Sequence, residues 1–175
     1  MAEQSRGKPI IQVENFTAAY DGDVVLDKLN LEIYAGEVFA ILGGSGCGKS
    51  TLLKHMIGLY KPARGRILID GEDIATVSGE EHMRILRKFG VLYQSGALFG
   101  SMTLLENVSL PLEEFTDLPP EAIRLIAMMR LQRVGLAHTA DLMPAELSGG
   151  MQKRGAIARA MALDPQIMFM DELSA

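Results

Sequence analysis

The residues with the plainest chemistry are Gly43-Gly44-Ser45-Gly46-Cys47-Gly48-Lys49-Ser50, followed by Thr51, which fit the spacing G-x4-G-K-[ST]. Glycines at this spacing let successive backbone N–H groups converge on phosphate oxygens with no Cβ in the way. Lys49 supplies positive charge for β- and γ-phosphates. Ser50 offers a hydroxyl to Mg²⁺, and a helix beginning here turns its positive end toward the anion. Such a loop needs a strand leading in and a helix leading out. Residues 38–42 are a continuous apolar run, as expected of a strand covered on both faces. Residues 49–57 read as a helix with Leu52, Leu53 and Met56 on one face.

Two further stretches carry candidate chemistry. Ile167-Met168-Phe169-Met170 reads as a buried strand leading into Asp171-Glu172. Asp171 could hold the shell of a Mg²⁺ ion, and Glu172 could polarise an attacking water. A strand ending in two solvated acids has the same sequence, and it is the phosphate loop that favours the chemical reading. Leu147-Ser148-Gly149-Gly150-Met151-Gln152 opens a helix. Ser148 can cap it, and the two glycines let another molecule approach the first N–H groups. On the residues alone two readings stay open there: a phosphate site without a lysine, or an ordinary N-cap with permissive glycines.

The elements that must position these residues follow from periodicity and punctuation. Residues 10–16 read as a short strand, Tyr20-Asp21-Gly22-Asp23 as a turn, and residues 29–33 alternate with period two. Residues 66–70 form another strand, closed by Asp70-Gly71. Ser78 with Glu81 predicts a capped helix to about Lys88, and Thr103 with Glu106 offers a second capping box. Residues 91–93 read as a short strand, Pro119-Pro120 starts a helix to about Val134, and residues 147–163 form another helix. Strands alternating with helices imply an α/β fold with a mainly parallel sheet, and the first 35 residues suggest an antiparallel β flank.

Composition bounds the function. The chain has 175 residues, 48% hydrophobic and 22% charged, values of one globular domain. A net charge of -5 argues against sequence-independent nucleic-acid binding. The single cysteine, Cys47, excludes an intrachain disulfide, suits a reducing compartment and reads as a small filler. Residues 1–9 lack the apolar stretch of a signal peptide. Residues 89–105 carry no charge, but their polar side chains and glycines exclude a membrane span, so a soluble protein is expected. Met128, Met129 and Met161 read as core filling. His55, His82 and His138 have no metal-ligand spacing, and His55 reads as structural.

Taken in order, the phosphate loop, the 147–154 segment and the 167–172 segment resemble the ATP-binding cassette (ABC) ATPase family over essentially the whole chain. The resemblance implies a P-loop NTPase core with a helical subdomain at about residues 95–155. It makes Leu147 to Gln152 the signature motif, Tyr20 the aromatic stacked on adenine, and Gln94 the glutamine that touches Mg²⁺ and faces a membrane partner. It implies ATP and Mg²⁺ as cofactors, with Ser50, Gln94 and Asp171 toward the metal and Lys49, Gln94 and Glu172 toward catalysis. Two cassettes would pair head to tail, Ser148, Gly149 and Gly150 of one meeting the γ-phosphate at Lys49 of the other. Transmembrane permease subunits would hold the pair at the cytoplasmic face of a bacterial inner membrane.

A narrower resemblance, in Gln94-Ser95-Gly96-Ala97-Leu98-Phe99, Ser101-Met102-Thr103, Glu106-Asn107-Val108 and residues 142–146, is to the bacterial lipid-asymmetry and toluene-tolerance importers. It implies phospholipid transport, and it would leave Leu98, Phe99 and Met102 partly exposed for a permease. A core-packed segment silent about cargo is the other reading. Met151 stands where the family most often has Gln, and Leu173 where it has Pro. The chain ends at Ser174-Ala175, before the later strands and switch histidine of the family. The expectation is therefore an incomplete cassette with an uncovered sheet edge or face. The alternatives are a cassette that binds nucleotide without turnover, an ABC ATPase for another cargo, or a soluble family member of DNA repair or translation.

Overall fold

The computed structural model describes residues 7–20, 22–93 and 97–171. They fall into two compact units, Met1–Leu86 and Arg87–Ala175. The first holds β1 (Ile11–Tyr20), β2 (Asp23–Ile33), α1 (Lys49–Met56), β3 (Arg64–Ile69), β4 (Glu72–Asp73) and α2 (Gly79–Leu86). Its four strands form an antiparallel sheet in the order β2-β1-β3-β4. Alternation in β1 turns Ile11 and Val13 inward, opposite Ile69 and Ile67 of β3, and all four are buried. Burial of each contributes about 1.5–3 kcal/mol.

The register slips at Asn15, whose φ is 46°. Its N–H donates to Asn30 Oδ1 at 2.9 Å, which holds the bulge against β2. On the other side the carbonyls of Glu14 and Asn15 press on Gly65, where a Cβ would lie 2.3 Å from each oxygen. Beyond the bulge Phe16, Thr17 and Ala18 are buried, and the Phe16 ring meets His55 of α1 edge-on at 5.0 Å. The hairpin strands run further than alternation alone suggested, to the pair Tyr20↔Asp23.

One expected strand does not form. Residues 38–42 pair with no strand among the described residues. A strand is stabilised by ladder hydrogen bonds to a neighbour, and without one the run stays in contact with water. Val38 is 100% exposed and Leu42 91%.

In the second unit β5 (Phe89–Leu92) pairs in parallel with β6 (Ile167–Met170), in register from Phe89↔Ile167 to Leu92↔Met170. Three helices complete it: α3 (Leu104–Phe115), α4 (Pro120–Arg133) and α5 (Gly149–Ala160), with single 3₁₀ turns at Ala137–Thr139 and Pro144–Glu146. The capping box expected at Thr103 and Glu106 is present at the start of α3. Leu104, Val108, Leu112, Ile123, Leu131 and Leu136 form the centre of the helical core. Gly155 lets α5 approach α3 closely, since a Cβ there would lie 2.5 Å from Leu104 Cδ1.

The α/β class stands, with its antiparallel β flank and packed helices, but the sheet is not mainly parallel as expected: among the described residues four strands pair antiparallel and only β5 and β6 pair in parallel, because residues 38–42 join no ladder. Met128 packs on the helical core and Met161 is half-buried, but Met129 is 52% exposed and fills nothing. The buried stripe of α4 is Ile123, Ala127 and Leu131, spaced by four, and Met129 lies on the opposite face of the helix. No helix of the described residues is long and apolar enough to cross a membrane.

Candidate functional site

The phosphate loop sits in the first unit, directly before α1. Gly48 caps that helix at φ 96°, and a Cβ there would also meet Leu26 Cδ2 of β2 at 2.9 Å. The positive φ favours glycine, and the nearby Leu26 side chain leaves little room for a larger residue where the helix begins. Gly46 has φ 79°. The Lys49 ammonium folds back over the loop and donates to the carbonyl oxygens of Gly43 and Gly44, each at 2.8 Å. Its Nζ lies 3.7 Å from Cys47 Sγ. Cys47 is exposed rather than a filler, and its sulfur occupies the space a Cβ on Gly43 would take. The third ammonium proton has only this weak sulfur acceptor, which an arriving phosphate oxygen can displace at the positive end of α1. Ser45 and Ser50 are exposed, and Thr51 is half-buried in the first turn of α1.

Tyr20, at the end of β1, is partly exposed. Its ring stands edge-on to Tyr60 at 5.8 Å and tilted to His55 at 6.3 Å. His55 is buried and structural as expected, with Nδ1 2.8 Å from the Thr51 carbonyl oxygen. A carbonyl only accepts, so Nδ1 carries the proton. The cluster Phe16, Tyr20, His55 and Tyr60 thus joins β1 to α1 beside the loop. No periodicity in the sequence pointed to Tyr60.

The second unit carries the remaining candidates. Ser148 Oγ caps α5, accepting from the Met151 N–H at 3.3 Å. Gln152 Nε2 donates to the carbonyls of Pro144 and Leu147, at 2.8 and 3.1 Å, and so holds the turn that presents Ser148. Leu147 is buried and Met151 packs on the helical core. Gly149 and Gly150 are exposed, and a Cβ on either would meet no atom within 4 Å. Asp171 extends the β5–β6 ladder, donating its N–H to the Leu92 carbonyl at 2.9 Å. Gln94 and Glu172 lie outside the described residues.

Two side chains organise this unit without having been singled out for it. Asn107, fully buried on α3, accepts on Oδ1 from the Phe99 N–H at 2.7 Å. Its Nδ2 donates to the carbonyls of Phe99, Met102 and Thr103 at 2.9–3.1 Å. Arg159 on α5 donates to the Ala97 carbonyl at 2.8 Å, and its guanidinium lies 5.6 Å from the Phe99 ring centre. Burial pushes the Arg159 guanidinium below the ordinary arginine value, with Tyr93 opposing. A buried Asn at a helix start and an Arg late in a helix are common in any sequence, so no spacing marked them. Leu98 and Met102 are half-buried and Phe99 is 51% exposed, as expected of this segment.

The donor set fits a nucleotide and its metal. Lys49 stands over an open glycine loop at a helix N-terminus, and the adjoining Ser50 hydroxyl is a hard oxygen of the kind Mg²⁺ prefers.

Comparison with known proteins agrees with this geometry. The sequence pattern of the ABC transporter family matches residues 26–175. The chain is 47% identical over 163 residues to the intermembrane phospholipid transport system ATP-binding protein MlaF of Haemophilus influenzae, covering 93% of this chain and 62% of that protein. It is 49% identical over 162 residues to the probable ribonucleotide transport ATP-binding protein mkl of Mycobacterium leprae, covering 93% and 47%. It therefore spans about half to three-fifths of the length of these relatives. Among solved structures, the ATP-binding cassette MJ0796, in a dimeric post-hydrolysis state bound to ADP and Pi, superposes with a TM-score of 0.84 at 36% identity, covering 93% and 73%. The cassette cbiO1 of Clostridium perfringens, part of the ABC transporter complex cbiONQ, gives 0.80 at 36% identity, covering 94% and 65%. A phosphate loop so built, within a family pattern covering most of the sequence, means that this chain belongs to the ABC transporter family.

Proposed function

We propose that the chain is the nucleotide-binding part of an ABC transporter subunit that binds and hydrolyses ATP to move phospholipid between bacterial membranes. The observation that carries the reading is the Lys49 ammonium, held by two loop carbonyls at the N-terminus of α1. Gly43 to Gly48 wrap the phosphates, Lys49 neutralises the charge that builds on the γ-phosphate, and Tyr20 stacks on the base. Mg²⁺, held by Ser50, Asp171 and Gln94, would supply further charge neutralisation. Glu172 orients the attacking water.

The second subunit enters through α5. Its capped N-terminus carries two open glycines, and its first turn, Gly149-Gly150-Met151-Gln152, has no cationic residue, so it suits a phosphate whose lysine belongs to another copy. That arrangement is a head-to-tail dimer. The exposed tip at Phe99 meets a transmembrane permease, which holds the pair at the inner face of the membrane. Relatives of nearly equal identity carry a phospholipid and a ribonucleotide name. The segment from Gln94 to Val108 favours phospholipid.

The test uses the full-length protein with its permease in vesicles. ATP-dependent transfer of a labelled phospholipid is expected, and Lys49→Met should lower phosphate release at least about 100-fold. Turnover that survives Lys49→Met refutes the site. Uptake of ribonucleotides with no lipid transfer refutes the cargo.

A further inference from the structure

We infer that Arg159 is a positioning residue that ties residues 97–99 to helix α5, so that the exposed tip at Phe99 and the capped end of α5 at Ser148 move as one body. The inference rests on the transporter reading above and adds the route by which a partner's contact reaches the nucleotide.

Three contacts converge on one face of α5. Gly155 and Arg159 stand four residues apart, one above the other on the helix. A Cβ on Gly155 would lie 3.5 Å from Leu98 Cδ1, so Leu98 packs against that bare spot. Arg159 Nη1 donates to the Ala97 carbonyl, and its guanidinium covers the Phe99 ring. Ala97 itself has φ 47°, a left-handed backbone that a non-glycine residue keeps only when its surroundings impose it. The Arg159 bond, 62 residues away in sequence, is such an imposition.

The other side of the segment is anchored by Asn107, but that anchor comes from α3, the next element in the chain. Arg159 differs because it belongs to the helix whose first turn carries Ser148, Gly149 and Gly150. Eleven residues of α-helix separate Ser148 from Arg159, about 16 Å at 1.5 Å per residue. A helix of that length transmits a push along its axis without bending. Arginine suits the post because its planar fork can hold a carbonyl and cover a ring at once, which a lysine ammonium cannot do.

The experiment compares isolated full-length cassette with cassette assembled on its permease in lipid nanodiscs. The readouts are kcat and KM for ATP, and amide hydrogen exchange of residues 97–103. For Arg159→Met, the permease-dependent gain in kcat should fall about tenfold. The KM of the isolated cassette should stay within about twofold, and amides 97–99 should exchange faster. Arg159→Lys should recover part of both effects. If the Met variant does not fold, Arg159→Lys carries the test alone, with intermediate loss and intermediate exchange expected. Wild-type stimulation with wild-type exchange in the folded variant overturns the inference, as does a wild-type permease complex that turns over no faster than the isolated cassette. A wild-type protein with no ATP turnover in any form overturns the transporter reading instead.

Discussion

Asn107 offers a calculation that the structure makes specific. Replacing it with alanine removes four hydrogen bonds from a fully buried site, but the groups left behind are not equally harmed. The Phe99 carbonyl still accepts from the Met102 N–H, and the Thr103 carbonyl still accepts from the backbone N–H at position 107. The orphans are the Phe99 N–H and the Met102 carbonyl. Each unpaired buried group costs about 1–3 kcal/mol, and Phe99 and Met102 are near enough to water to sit low in that range. Asn107→Ala should therefore destabilise by about 2–3 kcal/mol. Asn107→Asp should do worse at neutral pH, by about 4 kcal/mol, because a charged oxygen then faces three carbonyls with no proton between them. The sign with pH separates the two variants. The aspartate's folded pKa is raised above its unfolded value of about 3.9, so its penalty is full at high pH. That penalty shrinks as pH falls through the folded pKa and the carboxyl gains a proton to donate. Urea unfolding of the full-length protein, followed by circular dichroism at several pH values between 7.5 and 4.5, measures both gaps against wild type. A gap for Asn107→Asp that does not narrow in acid refutes the reasoning, as does an Asn107→Ala cost below about 0.5 kcal/mol.

Other outcomes are equally concrete. Gly90→Ala puts a Cβ 2.1 Å from the Ala160 carbonyl oxygen, so β5 or the end of α5 must move by more than an ångström; a loss of about 3 kcal/mol in urea unfolding is expected, and less than about 1 kcal/mol counts against the packing. The Glu106 carboxylate is held below the usual range by the Thr103 N–H and then by the Thr103 hydroxyl. Its contribution is thus present above the unfolded carboxylate pKa and lost as pH falls through the folded one, so the stability gap of Glu106→Gln to wild type should close in acid. A bulky maleimide on exposed Cys47, whose sulfur lies 3.7 Å from Lys49 Nζ, should abolish ATP binding measured by titration, and unchanged affinity after complete labelling would contradict the placement of the loop.

What could be read from the sequence was what one residue or one spacing decides. The helix after the phosphate loop follows from Gly48 and the apolar face at Leu52 and Met56, and it ends within a residue of expectation. The start of α3 follows from Thr103 and Glu106, whose capping box is a local bargain between four adjacent residues. The strand at residues 167–170 is a short apolar run with punctuation on both sides, but it is not the buried strand expected: of its four residues only Phe169 is buried, and Met170 is 48% exposed. Residues 38–42 looked the same by composition, but a strand is a property of a pair, and composition does not say whether a neighbour is at hand. The buried bonding of Asn107 and the role of Arg159 were not legible for a related reason. Their partners are backbone carbonyls, and every residue of the segment offers one. Met129 missed the core by its angle on the helix, which a count of methionines does not contain.

The glycines separate what the chain needs for itself from what it holds for another molecule. At Gly48, Gly65, Gly90 and Gly155 a Cβ would strike atoms of the chain at 2.1–2.9 Å, so the fold alone accounts for them. At Gly44, Gly149 and Gly150 a Cβ would meet nothing within 4 Å, and none has a positive φ. Alanine at Gly149 or Gly150 would favour the helix by up to about 1 kcal/mol, so glycine there has a cost that the fold does not recover. Glycine there leaves the backbone open to something that approaches it too closely for a methyl group. Gly44 lies just before α1, and Gly149 and Gly150 open α5, where free N–H groups attract an anion. Lys49, the first residue of α1, folds back over its loop, whereas the first turn of α5, Gly149-Gly150-Met151-Gln152, contains no cationic residue. An anion seated at α5 would therefore arrive with its cation already attached, and a nucleotide bound at Lys49 of a second copy meets that requirement.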